Sequence, residues 1–404
     1  MEQKFDIVII GGGIVGLATA YQLTQQFPDQ SIAVIEKEKE LGEHQTGHNS
    51  GVLHSGLYYT PGSKKAILCL EGKEEMVAFA KTQNIPHDIC GKIIVATEEK
   101  ELKNLDKIFQ NGIANKVPGI EKIDAKRISE IEPHCVGIAG IWVPGSGIIN
   151  YKDVCKKLGE LVEKAHPKNK VFLDEKCEKI REGKDLSTVQ TNKKNIQGKI
   201  IIACAGLQGD RVAKKDKLDP GMKIVPFRGD YYELSEQGKA KVRNLIYPVP
   251  DPDFPFLGVH FTRMIDGSVE CGPNAVFSFK REGYTRTAFN VRDSMESLTY
   301  KGTWILFKNH WRQGLEEYKR AFSKDLFLKS LQKLIPDLTL DDIQPARAGV
   351  RAQALDAKGK MIADFKIEFK GKHVHVLNAP SPAATASLAI GRHIVEEIKK
   401  KHLL

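Results

Sequence analysis

The chain has 404 residues, of which 41% are hydrophobic and 28% charged, a composition typical of a globular protein that is large enough for two or three packed units. The formal net charge is +10, but the basic residues are scattered and no nucleic-acid-binding module accompanies them, which argues against a nucleic-acid partner. The excess positive charge suits an anionic membrane surface or an acidic substrate equally well.

The seven cysteines include no Cys-x-x-Cys pair. An odd number without paired spacing favours reduced thiols in the cytoplasm over a disulfide framework or a zinc site. An apolar strand already begins at Phe5, which leaves no charged leader ahead of it. No run reaches the roughly 18 apolar residues that span a bilayer. We therefore expect a cytoplasmic protein without a metal site that touches a membrane at most from its surface.

The first predicted elements are a strand, a glycine turn, a helix and a second strand. Residues 5–10, FDIVII, form a continuous apolar run typical of a strand buried on both faces. GGGIVG follows, which places Gly11, Gly13 and Gly16 in the Gly-x-Gly-x-x-Gly spacing. A helical pattern leads to the second apolar run, SIAVIEKE, in which Glu36 follows Gly16 by twenty residues.

This order of elements is typical of a dinucleotide-binding βαβ unit. Gly11 permits the tight turn, Gly13 lets the backbone approach a pyrophosphate, and Gly16 lets the helix pack on the strand. The helix N-terminus offers N–H groups and a positive dipole to phosphates, and Glu36 can accept hydrogen bonds from the adenosine ribose. The glycine spacing alone fits a purely structural turn equally well, but this context favours NAD or FAD.

The next segment is unusually rich in small and polar residues. Residues 44–66, HQTGHNSGVLHSGLYYTPGSKKA, contain three histidines and four glycines but few large aliphatic residues, so they do not form an ordinary core element. Helical patterns then cover 67–84, 98–112, 127–133 and 151–165, with short strands around 92–97.

The second half of the chain begins with strands near 171–190 and a buried run, 199–206, that ends at Gly206. From about residue 221 many short strands with proline-rich joins, as in 245–273, predict an antiparallel sheet. Helices are predicted over 291–335, and a βα pattern returns over 372–400.

Six longer motifs are spread over nearly the whole chain. They are GGGIVGLATA, QTGHNSGVLHSGLYYTPGSKKA, PFRGDYYEL (226–234), YPVPDPDFPFLGVHFTRMIDGSVECGPNA (247–275), AGVRAQ (348–353) and NAPSPAATASLAIG (378–391). Together they closely resemble the FAD-dependent L-2-hydroxyglutarate oxidases and dehydrogenases, within the glycine oxidase/D-amino acid oxidase-like flavoproteins. One departure is His48, where relatives in the wider group often carry arginine.

The resemblance implies an activity and a fold. FAD would oxidise L-2-hydroxyglutarate to 2-oxoglutarate, with hydride passing from C2 to flavin N5 and electrons then passing to quinone, another acceptor or oxygen. The fold class would be α/β, with a Rossmann-type FAD-binding domain interrupted by an α+β substrate domain that contains an antiparallel sheet. We expect the FAD-binding domain to comprise residues 1–84, 146–222 and 340–404, and the substrate domain residues 85–145 and 223–339.

The resemblance also assigns residues to the cofactor. Asn49, Ser50 and Gly51 would lie beneath the flavin ring, where small residues let the backbone touch a flat surface. A helix beginning near Ser381 would point its N-terminus at the flavin pyrimidine and stabilise negative charge there, although an ordinary capped helix is the alternative. The expected FAD contacts are Gly11, Gly13, Gly16, Glu36, Lys37, Thr46, His48, Asn49, Ser50, Gly51, Cys177, Gly206, Ser381, Pro382, Ala383, Ala384 and Thr385.

The resemblance implies a small dicarboxylate as the substrate, so basic residues are expected around it. Arg351 in AGVRAQ matches the carboxylate-binding arginine of the group, because a guanidinium can grip a carboxylate through two hydrogen bonds. A surface ion pair is the commoner alternative for an arginine. The candidates for the distal carboxylate are Arg228, Arg263, Lys65, Tyr58 and Tyr59.

Oxidation of a hydroxyl group also requires a base that removes its proton. Histidine, with a pKa near 6.5, is well matched to this task at neutral pH. His48, His54 and His260 lie in the flavin and substrate motifs. We expect His260 or His54 to be the base, in an order that the sequence leaves open, although most histidines have structural or surface roles.

Residues 298–320, LTYKGTWILFKNHWRQGLEEYKR, raise the question of a membrane partner. Trp304, Trp311 and Tyr318 are seven residues apart on one predicted helical face, close to several basic residues. This pattern suits a helix lying on the inner face of a membrane, from which electrons would pass to quinone. Packing of the same face on the protein core is the alternative.

Two other functions stay open. One is an FAD-dependent oxidase of another 2-hydroxy acid or of an amino acid, built on the same scaffold. The other is a non-catalytic flavin protein that relays electrons. The flavin-type C-terminal motif disfavours an NAD enzyme.

Overall fold

The computed structural model describes residues 3–251 and 257–404, so residues 252–256 of the long 247–275 motif lie outside the described part. The described strands are β1 Gln3–Ile10, β2 Ile32–Ile35, β3 Val52–Leu53, β4 His87–Asp88, β5 Lys92–Ala96, β6 Glu121–Asp124, β7 Ala139–Val143, β8 Gly147–Ile149, β9 Lys170–Phe172, β10 Cys177–Arg181, β11 Ser187–Thr191, β12 Asn195–Ala203, β13 Lys223–Leu234, β14 Leu245–Pro248, β15 His260–Arg263, β16 Val269–Gly272, β17 Val276–Phe277, β18 Ile343–Leu355, β19 Lys366–Lys370 and β20 His373–Asn378. The described α-helices are α1 Ile14–Gln26, α2 Lys64–Thr82, α3 Leu102–Ala114, α4 Ala125–Ile131, α5 Tyr151–Ala165, α6 Gly209–Lys215, α7 Glu236–Lys239, α8 Val291–Leu298, α9 Lys301–Asn309, α10 Trp311–Phe322, α11 Lys324–Gln332 and α12 Ser387–Lys400.

The first large sheet contains the predicted dinucleotide-binding unit. Its strand order is β10-β11-β12-β1-β2-β9, and β20 pairs with both β12 and β19. β1 is parallel to β2 and to β12, and its apolar residues Ile7 and Ile9 are completely buried in the core beneath α1. This buried parallel arrangement is what a continuous apolar run predicts.

The second large sheet is mostly antiparallel. Its strand order is β17-β13-β16-β15-β14-β5-β7-β6, and β18 pairs with β13 along almost its whole length. The predicted fold class is therefore confirmed. The division into two domains stays a proposal, and the pairing of β18 with β13 favours a boundary after Leu355 instead of one at residue 340.

The expected continuous helix around Trp304 and Trp311 is interrupted. α9 ends at Asn309, His310 leaves the helical conformation with ψ near 26°, and α10 begins at Trp311. Because of this break the three aromatic residues do not share one face. Trp304 and Trp311 are more than half exposed, whereas the Tyr318 hydroxyl donates to the Phe277 carbonyl at 3.2 Å. Within the described residues, no helix is both long and apolar enough to cross a membrane.

Candidate active site

Two cavities meet at the carboxyl ends of β1 and β12. Each has a volume of about 550 Å³, and both are lined by Gly13, Thr46 and Gly206. The first cavity extends past the end of β2, and the second reaches the face of the antiparallel sheet. The shared lining makes them one elongated channel across the glycine turn, a shape that fits an extended dinucleotide.

The glycine turn has the close contacts that this fit requires. Gly11 has φ of +116°, and a Cβ there would lie 2.3 Å from the Cys204 carbonyl oxygen. A Cβ on Gly16 would lie 2.1 Å from the Gly11 carbonyl oxygen, so Gly16 serves helix packing and does not line the channel. At Gly13 the nearest atom is the Thr46 hydroxyl, 3.6 Å away, which leaves the backbone open to the cavities.

Glu36 lies buried at the end of β2 and lines the first cavity. One carboxylate oxygen accepts the Gly12 N–H at 2.7 Å, and the other accepts the Glu38 N–H at 2.9 Å. Burial raises the pKa of this carboxyl group, and the two backbone donors oppose that effect. Lys37 and Cys177 also line the first cavity, and their contact with FAD stays a prediction.

Residues 278–290, which connect β17 to α8, reach the same channel. Glu282 accepts a hydrogen bond from Gln208 at 2.8 Å and lies 3.0 Å from the Lys37 ammonium. The ring of Tyr284 stacks on that of His48, with 4.0 Å between centroids. No sequence motif marked Glu282 or Tyr284, which approach the channel only through tertiary packing.

The small-residue stretch forms a loop that lines the second cavity. Thr46, His48, Asn49 and Ser50 are among the lining residues. Gly51 is not, but it has φ of +64° and lies where a Cβ would be 2.8 Å from the Ile149 carbonyl oxygen. Gly51 is therefore required for the path of the loop.

Arg347 fixes this loop from β18. Its guanidinium donates to the Gly47 carbonyl at 2.8 Å, to the Asn49 carbonyl at 2.9 Å and to the Glu270 carboxylate at 2.7 Å. Arg347 was not predicted from the sequence, because an arginine that binds backbone carbonyls leaves no recognisable spacing.

The predicted helix start near Ser381 is wrong. α12 begins at Ser387, and residues 381–386 form turns instead. Pro382 disfavours a helical conformation at Ser381, the residue before it, which accounts for the absence of a helix start at Ser381 itself. The residues from Ser381 to Thr385 nevertheless all line the second cavity. Thr385 donates to the Val52 carbonyl at 3.0 Å and accepts the His54 N–H at 3.2 Å.

The second cavity brings together the predicted chemical groups. His54, His260, Lys65 and Arg351 all line it, together with Tyr231 and Tyr247, which the sequence analysis did not select. Among the described lining residues there is no aspartate or glutamate. The charged groups at this end of the channel are therefore basic, which suits an anionic ligand.

The two candidate bases have different surroundings. His260 is 5% exposed, its Nδ1 lies 2.9 Å from the Gly258 carbonyl oxygen, and its ring stacks on Tyr247 with 4.1 Å between centroids. Within the described residues, the His54 ring makes no hydrogen bond. Burial is the main cause that lowers the pKa of His260 to about 4 and that of His54 to about 3.

Several predicted substrate residues do not line the cavity. Arg228 is paired with Asp230 at 2.8 Å, and Arg263 donates to the Arg243 carbonyl at 2.8 Å. Side chains alternate between the two faces of a strand, so Gly229 and Tyr231 face the cavity while Arg228 does not. The same alternation separates Arg263 from His260. The expectation that these two arginines bind the distal carboxylate is therefore corrected. Tyr58 and Tyr59 also lie outside the lining.

Comparison with known proteins decides the family. The model of the family described as FAD dependent oxidoreductase matches residues 6–397. The chain belongs to this family. FAD as the cofactor is thereby confirmed, in agreement with the glycine turn and the channel beside it.

The curated relatives make the resemblance more specific. An L-2-hydroxyglutarate dehydrogenase of Indibacter alkaliphilus is 45% identical over 98% of this chain and 99% of its own length. The enzyme of that name from Escherichia coli K12 is 44% identical over 98% of this chain and 93% of its own length. The dithionite-reduced, FAD-bound L-α-glycerophosphate oxidase from Mycoplasma pneumoniae has a TM-score of 0.78 at 24% identity, covering 98% of this chain and 95% of its own, which supports the fold alone.

Proposed function

We propose that this protein oxidises L-2-hydroxyglutarate to 2-oxoglutarate. The observation that carries the proposal is the second cavity, whose described lining combines Arg351 and Lys65 with the two candidate bases His54 and His260 and contains no carboxylate. A dianionic hydroxy acid needs cationic partners and a base, and this cavity provides both. The names of the curated relatives support the same substrate.

Arg351 and Lys65 would bind the two carboxylates of the substrate. A guanidinium forms two parallel hydrogen bonds with one carboxylate, so Arg351 is suited to fix the carboxylate next to the reacting carbon. Among the described lining residues Lys65 is the only other lysine or arginine, and it is suited to the distal carboxylate. Holding both ends orients the C2 hydrogen, and bound FAD supplies the hydride acceptor.

His260 is the base that the geometry favours. A carbonyl oxygen can only accept a hydrogen bond, so Nδ1 of His260 carries the proton in the contact with Gly258, and Nε2 is left as a proton acceptor. The lowered pKa keeps this ring neutral at physiological pH. Stacking on Tyr247 also holds the His260 ring in place. The ring of His54, in contrast, makes no hydrogen bond within the described residues that would fix its tautomer.

An anaerobic titration of the purified yellow protein tests the function. L-2-Hydroxyglutarate should bleach the visible flavin absorption, and the D-isomer should leave it unchanged. If the L-isomer produces no bleaching while dithionite still reduces the flavin, the assigned substrate is wrong. A panel of amino acids and other 2-hydroxy acids would then identify a related oxidase, and failure of the whole panel would favour an electron relay.

We also propose that an anionic membrane surface is a partner and that its quinone accepts the electrons. Among the described residues, eight large hydrophobic side chains are at least half exposed, and all but Ile113 lie between residues 289 and 322. The seven are Phe289, Val291, Met295, Trp304, Trp311, Leu315 and Phe322, which we call the helical apolar surface.

Positively charged side chains near the two tryptophans support an anionic membrane surface as the partner. Lys301, Lys308 and Arg312 are exposed on the same two helices that carry Trp304 and Trp311. Tryptophan beside basic residues is the composition of a surface that lies in the headgroup region of an anionic bilayer.

A further inference from the structure

Lys92 is a buried lysine behind the wall of the second cavity. It is the first residue of β5, and it is 1% exposed. Its ammonium group lies 4.8 Å from the ring centroid of Tyr58 and 5.0 Å from that of Tyr247. Two aromatic faces therefore replace part of the hydration that this cation loses.

The surroundings of Lys92 do not neutralise its charge. Within the described residues, the one titratable group that favours its charged form is the Cys69 thiol, whose own pKa burial raises to about 12. That thiol is therefore uncharged at neutral pH. Burial lowers the pKa of Lys92 to about 8, so the ammonium form still predominates at neutral pH.

The charge of Lys92 acts on both candidate bases. The Tyr247 ring contacts both the Lys92 ammonium group and the His260 ring: the ammonium group lies over the Tyr247 ring, and the His260 ring stacks on it. Lys92 and Arg351 both disfavour a positive charge on His260, and Lys92, Lys65 and His260 disfavour one on His54. The phenols of Tyr58 and Tyr247 are uncharged at neutral pH, because burial raises the pKa of each.

We propose that Lys92 is a positioning residue that holds Tyr247 against His260 and whose buried positive charge adds to the effect of burial in opposing protonation of the His260 and His54 rings, so that the proton acceptor stays available when the pH falls. The proposal rests on the function proposed above. A positive field weakens the affinity of the base for a proton, but it also favours ionisation of the substrate hydroxyl, so the two effects on proton transfer oppose each other.

Two measurements on the holoenzyme test the role of Lys92. The first is NMR of ¹³Cε1-labelled histidine, with His260 and His54 assigned through H260N and H54N. The second is the pH profile of kcat/KM. In Lys92→Met the histidine pKa values and the acidic limb of the profile should rise by about one pH unit, as expected from removing one nearby charge at low effective dielectric.

Lys92→Arg keeps the charge and should retain the wild-type titrations. Lys73→Met is the matched control, since Lys73 is a half-buried lysine outside the cavity lining whose charge is not among those acting on either histidine. Lys73→Met should leave the pKa values of both His260 and His54 unchanged.

Three results would overturn the proposal. They are unchanged histidine titrations in Lys92→Met, Lys92→Arg behaving like Lys92→Met, and ordinary histidine pKa values in the wild-type protein. The last result is obtained on the wild-type protein, so the proposal can still be tested if Lys92→Met does not fold. The NMR titration also needs no turnover, so it separates an error about Lys92 from an error about the substrate.

Discussion

At the scale of single residues, the proposed role of His260 as the base depends more on its surroundings than on its being a histidine. The Gly258 carbonyl fixes its tautomer and Tyr247 fixes its plane, which distinguishes it from His54. We expect His260→Asn to lower kcat/KM by roughly a hundredfold to ten-thousandfold, the usual range for loss of a general base. The pH profile should also lose its acidic limb, because the group that is protonated there has been removed.

His54→Asn is the comparison that tests this choice between the two histidines. It should retain the acidic limb and lose less activity than His260→Asn. Stopped-flow measurement of flavin reduction gives the chemical step directly for both variants. The assignment would be reversed if His54→Asn abolished flavin reduction while His260→Asn left it nearly intact.

At the scale of elements, β18 holds the loop that lines the cavity. Arg347 donates to two of the loop carbonyls, but its side chain is 40% exposed, so the two bonds together contribute about as much as one buried bond from a charged donor, roughly 1.5–3 kcal/mol. Arg347→Gln should therefore weaken FAD affinity by roughly tenfold to a hundredfold. The dissociation of FAD on dilution, followed by the recovery of flavin fluorescence, measures this change.

Arg263→Gln is the matched control for Arg347. Arg263 also donates to a backbone carbonyl, that of Arg243 at 2.8 Å, but it lies outside the cavity lining. FAD affinity and KM should both stay at wild-type values in this variant. Equal flavin loss in the two variants would mean that Arg347 contributes only to general stability.

At the scale of the whole molecule, the helical apolar surface should direct the protein to a bilayer. The double variant Trp304→Ala/Trp311→Ala should lower binding to phosphatidylglycerol-containing vesicles by about tenfold or more, because two large apolar side chains no longer enter the interface. Flotation measures the binding. Activity with vesicle-embedded quinone should fall in parallel, while activity with a soluble dye should not change.

Ile113→Ala provides the control for this surface. Ile113 is 53% exposed, but it lies on α3, outside the helical apolar surface. Its variant should bind vesicles as the wild type does. Equal binding by the tryptophan variant, or undiminished turnover of the embedded quinone, would exclude this surface as the membrane contact.

The amino-acid sequence by itself determined the features that depend on neighbouring residues. The strand, glycine turn and helix around Gly11, Gly13 and Gly16 were predictable because backbone freedom and apolar periodicity are local properties. Helix α5 was predicted over 151–165 and is observed as Tyr151–Ala165 for the same reason. Of the groups lining the second cavity, His54, His260 and Arg351 were identified from the motifs that contain them, whereas Tyr231 and Tyr247 lie in quoted motifs and were not selected.

Only the tertiary structure decided which side chains meet. The pairing of β13 with β18 and the alternation of side chains direct Tyr231 and Arg351 to the cavity and Arg228 away from it. The contact of Lys92 with Tyr247 joins β5 to β14, and no local pattern encodes that contact. Strand register and packing between distant segments are set by the whole core, so these parts of the site become visible only once the chain is folded.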